Sequence, residues 1–437
     1  MTESVNTVII GGGVLGCASA ISTQKRLRKA NGNNDDSVCL VEKTVISSGI
    51  SARHSGIVRS ANAVARAAKL AKSATDYWKN LVSIWGVQCE YESNGAIWIA
   101  KDTGSGKNEK WSKLAKSLAN LDIQFGQVDK HQAQEICTKN VNLRDDEVFY
   151  FEPGAIQFDP TKVRKALYEA IKINNINIKE KTNVRGFLTD DNGKINKVLT
   201  DNGDINCKNV VNAAGAWSPS IFDSLGINIP VSIETVNVVN WLTSQFDIDY
   251  KMPIIADYTN LAYFRLWRNG EIHMHQPRHR NTREIARTFS ENPLHISGGD
   301  LVNDPTNQSL GYGQIRIYED IARKRFSDLE KSIYSSGYRS YFDITPDLKF
   351  ILGRDSKVSN LFHCLGSGQG FKYAPVFGEL IADCITNEGK FLDEVGEFEI
   401  SRFDDSYMEN FWSQVSGSDN TLAVSYTHLT LPTILLV

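Results

Sequence analysis

Two glycine clusters stand near opposite ends of this 437-residue chain, and each could bring backbone into close contact with a bound ligand. The first lies in TVIIGGGVLGC (7–17), where Gly11, Gly13 and Gly16 give the spacing GxGxxG. An apolar strand end, Val8 to Ile10, precedes it, and Val14 to Lys29 can continue as a helix. This chemistry needs small residues. The backbone must turn sharply, approach a pyrophosphate closely and pack helix against strand, while the helix N-terminus supplies N–H donors and a positive dipole. A second apolar run, SVCLVEK (37–43), carries Glu42 at its end, where a carboxylate is placed to accept from ribose hydroxyls. Glu42 lies 26 residues beyond Gly16, and the polar insert NGNNDD (31–36) accounts for the length. Strand, loop, helix and acid together predict a dinucleotide site.

The second cluster, in LFHCLGSGQGFKYAPVFGELIAD (361–383), places Gly366, Gly368 and Gly370 between an apolar strand and a helix expected from about Ala374. One loop suffices for a pyrophosphate, so the second is expected to serve another part of the same ligand. Two cations accompany the motifs: Arg59 in GIVRSA and Lys372 in QGFKYAP. Taken alone, each reads as a solvated surface charge. His273, His275 and His279 in HMHQPRH are not expected to bind metal, because no carboxylate or cysteine accompanies them.

The elements that must carry these loops follow from periodicity and turn residues. After Glu42 a loop runs into a long helix with apolar positions at helical spacing, and a strand is expected over YESNGAIWIA (91–100). Asp159-Pro160 opens another helix to about Asn174. Hairpin turns at Asn192-Gly193 and Asn202-Gly203 predict three meandering strands, the last leading into VVNAAGAW (210–217), whose Ala213, Ala214 and Gly215 leave room for a ligand beside the backbone. From Ile229 to about Tyr334 strand-like segments dominate. Nucleotide-binding segments thus alternate with β-rich insertions, which a simple NAD-dependent dehydrogenase would not favour.

Composition narrows the classes. A net charge of -3 gives no reason to expect nucleic acid or an anionic membrane as partner. Seven scattered cysteines, with no CxxC pair, suggest neither a disulfide framework nor a zinc cluster. No secretory signal is visible after MTESVN, so a reducing, cytoplasmic setting is expected. The tail (416–437) is expected to be a polar linker and an apolar end outside the fold. Its SYTHLTLPT resembles a translated library adapter, and the native C-terminus is expected to be lost.

In order along the chain, GxGxxG, Glu42, SARHSGIVRSA (51–61), FEPGAIQFDP (151–160), VVNAAGAW and FDITPDLKFILG (342–353) with LGSGQGFKYAP (365–375) resemble the FAD-dependent D-amino-acid oxidase superfamily. Within it, the resemblance is to the branch of sarcosine and dimethylglycine oxidation, over about residues 5–405. The resemblance implies an α/β fold. A Rossmann-like FAD-binding domain of the glutathione-reductase type would be assembled from residues 1–85, 150–220 and 335–415. An α+β substrate domain with an antiparallel sheet would comprise 86–149 and 221–334. It implies FAD held by Gly11, Gly13, Val14, Gly16, Glu42, Lys43, His54, Ser55, Val184, Ala214, Gly215, Gly366, Gly368, Gln369, Gly370 and Lys372. The N-terminal loop would hold the pyrophosphate and the C-terminal loop would lie beside the isoalloxazine ring, with the helix N-terminus facing the N1 and C2 carbonyl edge. Arg59 and Lys372 match positions that hold a substrate carboxylate, and His273 is the approximate counterpart of a lysine that activates oxygen in some oxidases. Where one subgroup attaches flavin through cysteine, Ser340 stands here. His54 lies near a histidine used for attachment in another subgroup, one residue short in spacing, and FAD is expected to be non-covalent.

The activity so implied is oxidation of the C–N bond of a small amino acid or N-methyl amino acid, the imine then being hydrolysed and the electrons passed to oxygen or another acceptor. Two alternatives stand beside it. A 2-hydroxy acid would suit the same carboxylate clamp, and an FAD-binding subunit of a larger oxidase complex would bind flavin without turnover of its own. Oligomeric assembly is compatible with each.

Overall fold

The computed structural model describes residues 3–31, 37–102, 104, 107–137, 139–242, 252–260, 262–266, 271–276, 310, 312–326, 329, 332–386, 395–404 and 406–407. β1 (Glu3–Ile10) lies between β2 (Val38–Val41) and β12 (Ile205–Asn212), parallel to both. Parallel strands buried on both faces need apolar residues at every position, which is why TVII and VCLV read as continuous runs rather than alternating ones.

The first sheet runs β10 (Val184–Thr189), β11 (Ile195–Thr200), β12, β1, β2 and β9 (Asn177–Lys179). On β12 it also carries β19 (Leu361–Leu365), parallel, and beyond that β18 (Ile351–Arg354), antiparallel. The two Asn-Gly turns are where expected, with Gly193 at φ +74° and Gly203 at φ +89°. A second, mixed sheet has the order β17 (Ile333–Ile344), β13 (Ser232–Leu242), β16 (Glu271–Gln276), β15 (Ala262–Leu266), β14 (Ile254–Asp257), β5 (Ala96–Lys101), β7 (Glu147–Glu152) and β6 (Gly126–Val128). A small third sheet joins β3 (Ile57–Val58), β8 (Ile156–Phe158) and β4 (Tyr91–Glu92).

The helices are α1 (Val14–Asn31), α2 (Ala65–Lys79), α3 (Leu81–Trp85), α4 (Lys107–Ala119), α5 (Lys130–Ile136), α6 (Pro160–Ile173), α7 (Ser218–Phe222), α8 (Tyr312–Arg325) and α9 (Gly370–Thr386). α1 and α9 approach so closely that a Cβ on Gly378 would sit 2.5 Å from the carbonyl oxygen of Ala18. Arg26 closes that contact with ion pairs to Glu379 (3.1 Å) and Asp383 (2.8 Å). Among the described residues no helix is long and apolar enough to cross a membrane.

Four local expectations change. The long helix after the second strand breaks at Asn80, whose φ of −128° and ψ of 48° leave the helical region and separate α2 from α3. YESNGAIWIA is two strands in different sheets, because Gly95 at φ +74° turns the chain between β4 and β5. The final helix begins at Gly370 rather than near Ala374, which places Lys372 in its first turn. α8 adds a helix to a region where strand-like segments are expected to dominate.

α8 is anchored by a buried ion cluster. Arg325 donates from Nε to Asp257 Oδ2 (2.8 Å) and from its two terminal nitrogens to Glu147 (2.8 and 3.1 Å). Burial alone would push the Glu147 carboxyl up, but the Arg325 hydrogen bonds and charge hold it below the usual range. Asp257 also accepts from the N–H and the side chain of Asn260 (3.0 and 2.7 Å), so the cluster shapes the turn between β14 and β15. Arg325→Met would leave Asp257 buried without its cation and Glu147 with only the exposed Arg144 at 3.3 Å, and is expected to cost about 3–5 kcal/mol. Urea unfolding of the two proteins measures it, and a loss below about 1 kcal/mol would show the cluster to be incidental to stability.

Candidate functional site

The first loop is shaped by two backbone contacts that admit only glycine. Gly11 has φ +103°, and a Cβ there would lie 2.5 Å from the Ala213 carbonyl oxygen. A Cβ on Gly16 would lie 1.8 Å from the Gly11 carbonyl oxygen. Gly13 differs, because its Cβ would meet only Ser51 Oγ, at 3.1 Å. No backbone atom crowds that position. The Val14 N–H donates to Ser51 Oγ (2.9 Å), and the Gly12 N–H donates to Glu42 Oε2 (2.7 Å). Glu42 Oε1 accepts from the N–H and the hydroxyl of Thr44, both at 2.8 Å. The Lys43 ammonium stands 3.8 Å from the centroid of the Trp217 ring. Thr182 donates its N–H to the Glu42 carbonyl (3.0 Å), which brings the segment leading to Val184 alongside β2. Ala213 donates to the Ile10 carbonyl (2.9 Å) and so holds Ala214 and Gly215 beside the first loop.

The second loop packs on the first. A Cβ on Gly370 would meet Leu15 Cδ1 at 3.0 Å, and one on Gly366 would meet Gly370 Cα at 2.5 Å. The N–H groups of Gly366, Ser367 and Gly368 converge on the Asp343 carboxylate at 3.0, 3.3 and 3.2 Å, a nest of the kind that holds anions. The Gln369 amide donates to the Leu348 carbonyl (3.3 Å), while its Oε1 is buried without a hydrogen-bond partner. His54 stacks on Phe371 with ring centroids 3.8 Å apart, and half-buried Ser55 follows it. Its Nδ1 accepts from the Gly56 N–H (2.9 Å), which leaves the proton on Nε2, a buried atom with no partner. Burial, aided by the charge of Arg265, pushes the His54 pKa down to about 3, so the ring is neutral.

Arg59 and Lys372, read from the sequence as surface charges if taken alone, are both buried. The Arg59 guanidinium lies over the Trp98 ring, 4.7 Å from its centroid, and donates to the Ala61 carbonyl (2.5 Å). Lys372 Nζ has no hydrogen-bond partner and stands 4.8 Å from the Tyr373 ring centroid. Between the loops that carry them stands Glu152, 1% exposed, with Oε1 accepting from the N–H groups of Ser60 (2.5 Å) and Ala61 (3.1 Å). Its Oε2 is buried without a hydrogen-bond partner. Burial, with help from Arg59, drives the Lys372 pKa well below that of an ordinary lysine, and the Glu152 carboxylate only partly offsets it. Burial likewise pushes Glu152 up, against the pull of Arg59, the two N–H groups and Lys372. Tyr258 and Tyr263 share a hydrogen bond (2.9 Å) and feel the same Arg59 charge, with Tyr258 stacked on Trp98 at 5.5 Å.

The structure therefore brings Gly11, Gly13, Val14, Gly16, Glu42, Lys43, Ala214 and Gly215 around one loop, and Gly366, Gly368, Gln369, Gly370, Lys372 and His54 around the other. His273 is described by its backbone alone, paired with Asn240 and Arg265; its side chain, that of Ser340 and the whole of His279 lie outside the described residues. Sequence reasoning passed over Ser51, Glu152, Tyr258, Tyr263 and Asp343. Glu152 and Asp343 sit inside FEPGAIQFDP and FDITPDLKFILG, so the motifs held them, but nothing in a linear pattern shows which acid turns inward.

The family model described as FAD dependent oxidoreductase matches residues 6–384. The chain is 24% identical over 396 residues to the 4-methylaminobutanoate oxidase (formaldehyde-forming) of Paenarthrobacter nicotinovorans, covering 87% of this chain and 43% of that one. It thus spans less than half of that relative. It is 22% identical over 407 residues to the peroxisomal sarcosine oxidase of Homo sapiens, covering 91% of this chain and 96% of the other. Among solved structures, L-proline dehydrogenase from P. horikoshii superposes with a TM-score of 0.75 at 20% identity, over 96% of this chain and 100% of that one, which shows a shared fold. The residues present fit FAD: a Gly13 that no backbone atom crowds, a helix N-terminus behind it, and buried polar atoms on Gln369, Lys372 and His54 that lack hydrogen-bond partners.

Gly13→Val is expected to fold but lose FAD, whereas Gly16→Ala is expected to fail in folding because its methyl would strike Gly11. Circular dichroism together with flavin content separates the two, and normal FAD in folded Gly13→Val would refute the loop assignment. FAD is expected to leave the protein on acid precipitation. Flavin that stays with the precipitate in the wild type and not in His54→Ala would show a covalent link instead.

Proposed function

The chain belongs to the FAD dependent oxidoreductase family, and on that footing we propose that it oxidises the C–N bond of a small amino acid or N-methyl amino acid. The bound FAD supplies the hydride acceptor, at its N5. The observation that carries the reading is the burial of Arg59 and Lys372 on two loops that the cofactor motifs themselves place together. Two cations share one buried carboxylate here, that of Glu152, and a substrate carboxylate would supply a second anion: the guanidinium takes it bidentately and the ammonium adds a point charge. Held so, the α-carbon is fixed for hydride transfer. The imine is then hydrolysed by water, and oxygen or another acceptor takes the electrons. His273, on β16, is the approximate counterpart of the lysine that activates oxygen in some oxidases of the family.

In this reading the first loop holds the pyrophosphate and the second lies beside the isoalloxazine ring, so the two glycine clusters serve the two ends of one FAD. The parallel strands around β1 support a Rossmann-like FAD-binding domain of the glutathione-reductase type from residues 1–85, 150–220 and 335–415. The largely antiparallel second sheet supports a substrate domain from 86–149 and 221–334, with β7 and β17 running from one to the other. The named activities of the sarcosine and methylaminobutanoate oxidases support the amine class.

Anaerobic flavin bleaching across a panel of amino, methylamino and hydroxy acids tests the reading. Bleaching by amines alone supports it, bleaching by hydroxy acids alone replaces it with a 2-hydroxy-acid oxidase, and none at all points to an FAD-binding subunit. With a bleaching substrate in hand, Arg59→Met and Lys372→Met are each expected to keep FAD but weaken substrate capture by about 2–5 kcal/mol. Wild-type reduction rate and half-saturation in both variants would make these structural cations.

A further inference from the structure

Two buried groups of opposite charge remain without hydrogen-bond partners in the same cluster: the Lys372 ammonium nitrogen and the outer oxygen, Oε2, of Glu152. Each is electrostatically coupled to the other and to Arg59. Glu152 is held from behind. Its Oε1 accepts from the consecutive N–H groups of Ser60 and Ala61, at 2.5 and 3.1 Å, so the carboxyl cannot swing away, and Oε2 is the edge left over. A carboxylate is an odd choice for a pocket that only reads an anionic substrate, since it repels what Arg59 and Lys372 attract. A zwitterion removes the conflict.

We propose that Glu152 is the residue that recognises the substrate's cationic nitrogen, its Oε2 accepting from the ammonium while Arg59 and Lys372 hold the carboxylate. This rests on the amino-acid reading above and deepens it. The unpartnered nitrogen of Lys372 and the unpartnered oxygen of Glu152 match the two ends of one amino acid, whose carboxylate and ammonium would favour the charged form of each. A 2-hydroxy acid would satisfy the two cations and leave Oε2 buried and unpaired, a penalty that turns hydrogen-bonding sites against analogues lacking the partner. Glu152 is therefore a specificity-determining residue for amines.

The test uses isosteric pairs that differ in the nitrogen alone: N-methylglycine with butanoate, N,N-dimethylglycine with 3-methylbutanoate, and trimethylammonioacetate with 3,3-dimethylbutanoate. Binding to the FAD-loaded protein is read from the perturbation of the flavin absorbance, or from half-saturation of bleaching where a probe reacts. In the wild type the zwitterion is expected to bind more tightly than its isostere in at least one pair. Glu152→Gln keeps an oxygen for the Ser60 and Ala61 N–H groups but loses the charge, and should cut that advantage at least about tenfold, as for loss of a charged hydrogen bond. Lys372→Met should weaken both members of a pair and keep their ratio. Were Glu152 merely a prop for the Arg59 turn, Glu152→Gln would weaken both members in parallel. That result, an unchanged ratio, or no zwitterion advantage in the wild type overturns the proposal. Should Glu152→Gln fail to load FAD, Glu152→Asp, which withdraws the outer oxygen by one methylene, must show the same loss of ratio. Trimethylammonioacetate has neither an N–H to donate nor a lone pair to form an imine, so its pair reads the charge attraction to Glu152 without the hydrogen bond, even if no amine bleaches the flavin and the proposed reaction itself fails.

Discussion

Burying charge is the constraint around which the two large sheets meet. Arg59, Lys372 and Glu152 all lie out of water, on β3's outgoing loop, the first turn of α9 and the end of β7. An isolated ion in a protein interior is expensive enough that it usually neutralises or finds a partner. The depressed Lys372 and elevated Glu152 register that expense. The surroundings limit it: the Trp98 face under Arg59, the two N–H groups behind Glu152, and the Tyr258–Tyr263 pair. Groups with strongly shifted ionisation gather where chemistry is done.

Three segments far apart in sequence must hold that cluster in register, and the glycines make this possible. Gly11 and Gly16 let β1, α1 and the end of β12 meet backbone to backbone, and Gly366 and Gly370 then seat the second loop on Leu15 of α1. Gly378 lets α9 lie against α1 at Ala18. A displacement of α1 would therefore move both glycine loops together, and with them Lys372. On the other side, the Arg325 cluster holds the β14–β15 turn, which carries Tyr258 and leads to Tyr263 on β15. Stability on each side is thus spent on geometry at the seam between the sheets.

His54 shows how a residue's chemistry follows from its packing. Stacked on Phe371 and bonded through Nδ1 to Gly56, it is neutral and presents Nε2–H rather than a charge. An imidazole on an open loop would titrate near its usual value, so the stacking and not the residue type decides what it can offer a ligand.

Local features were readable from the chain alone. Glycine spacing, Asn-Gly turns, the Asp159-Pro160 helix start and the apolar runs of β1, β2 and β12 are properties of neighbouring residues, because backbone sterics and strand burial act over a few positions. The order of motifs along the chain also sufficed to indicate a flavin-binding family. What stayed hidden depends on who meets whom across hundreds of residues. Arg59 and Lys372 read singly as surface charges, and only folding removes both from water. Glu152 and Asp343 lay within quoted motifs, yet their inward turn is set by backbone donors at Ser60, Ala61 and Gly366–Gly368. The starts and breaks of helices at Gly370 and Asn80, and the split of YESNGAIWIA between two sheets, were settled by packing that no local period encodes. Sequence determined the pieces and the ligand class they suit; tertiary structure decided which charges lose water together, because desolvation is a property of the assembled interior and not of any residue in the chain.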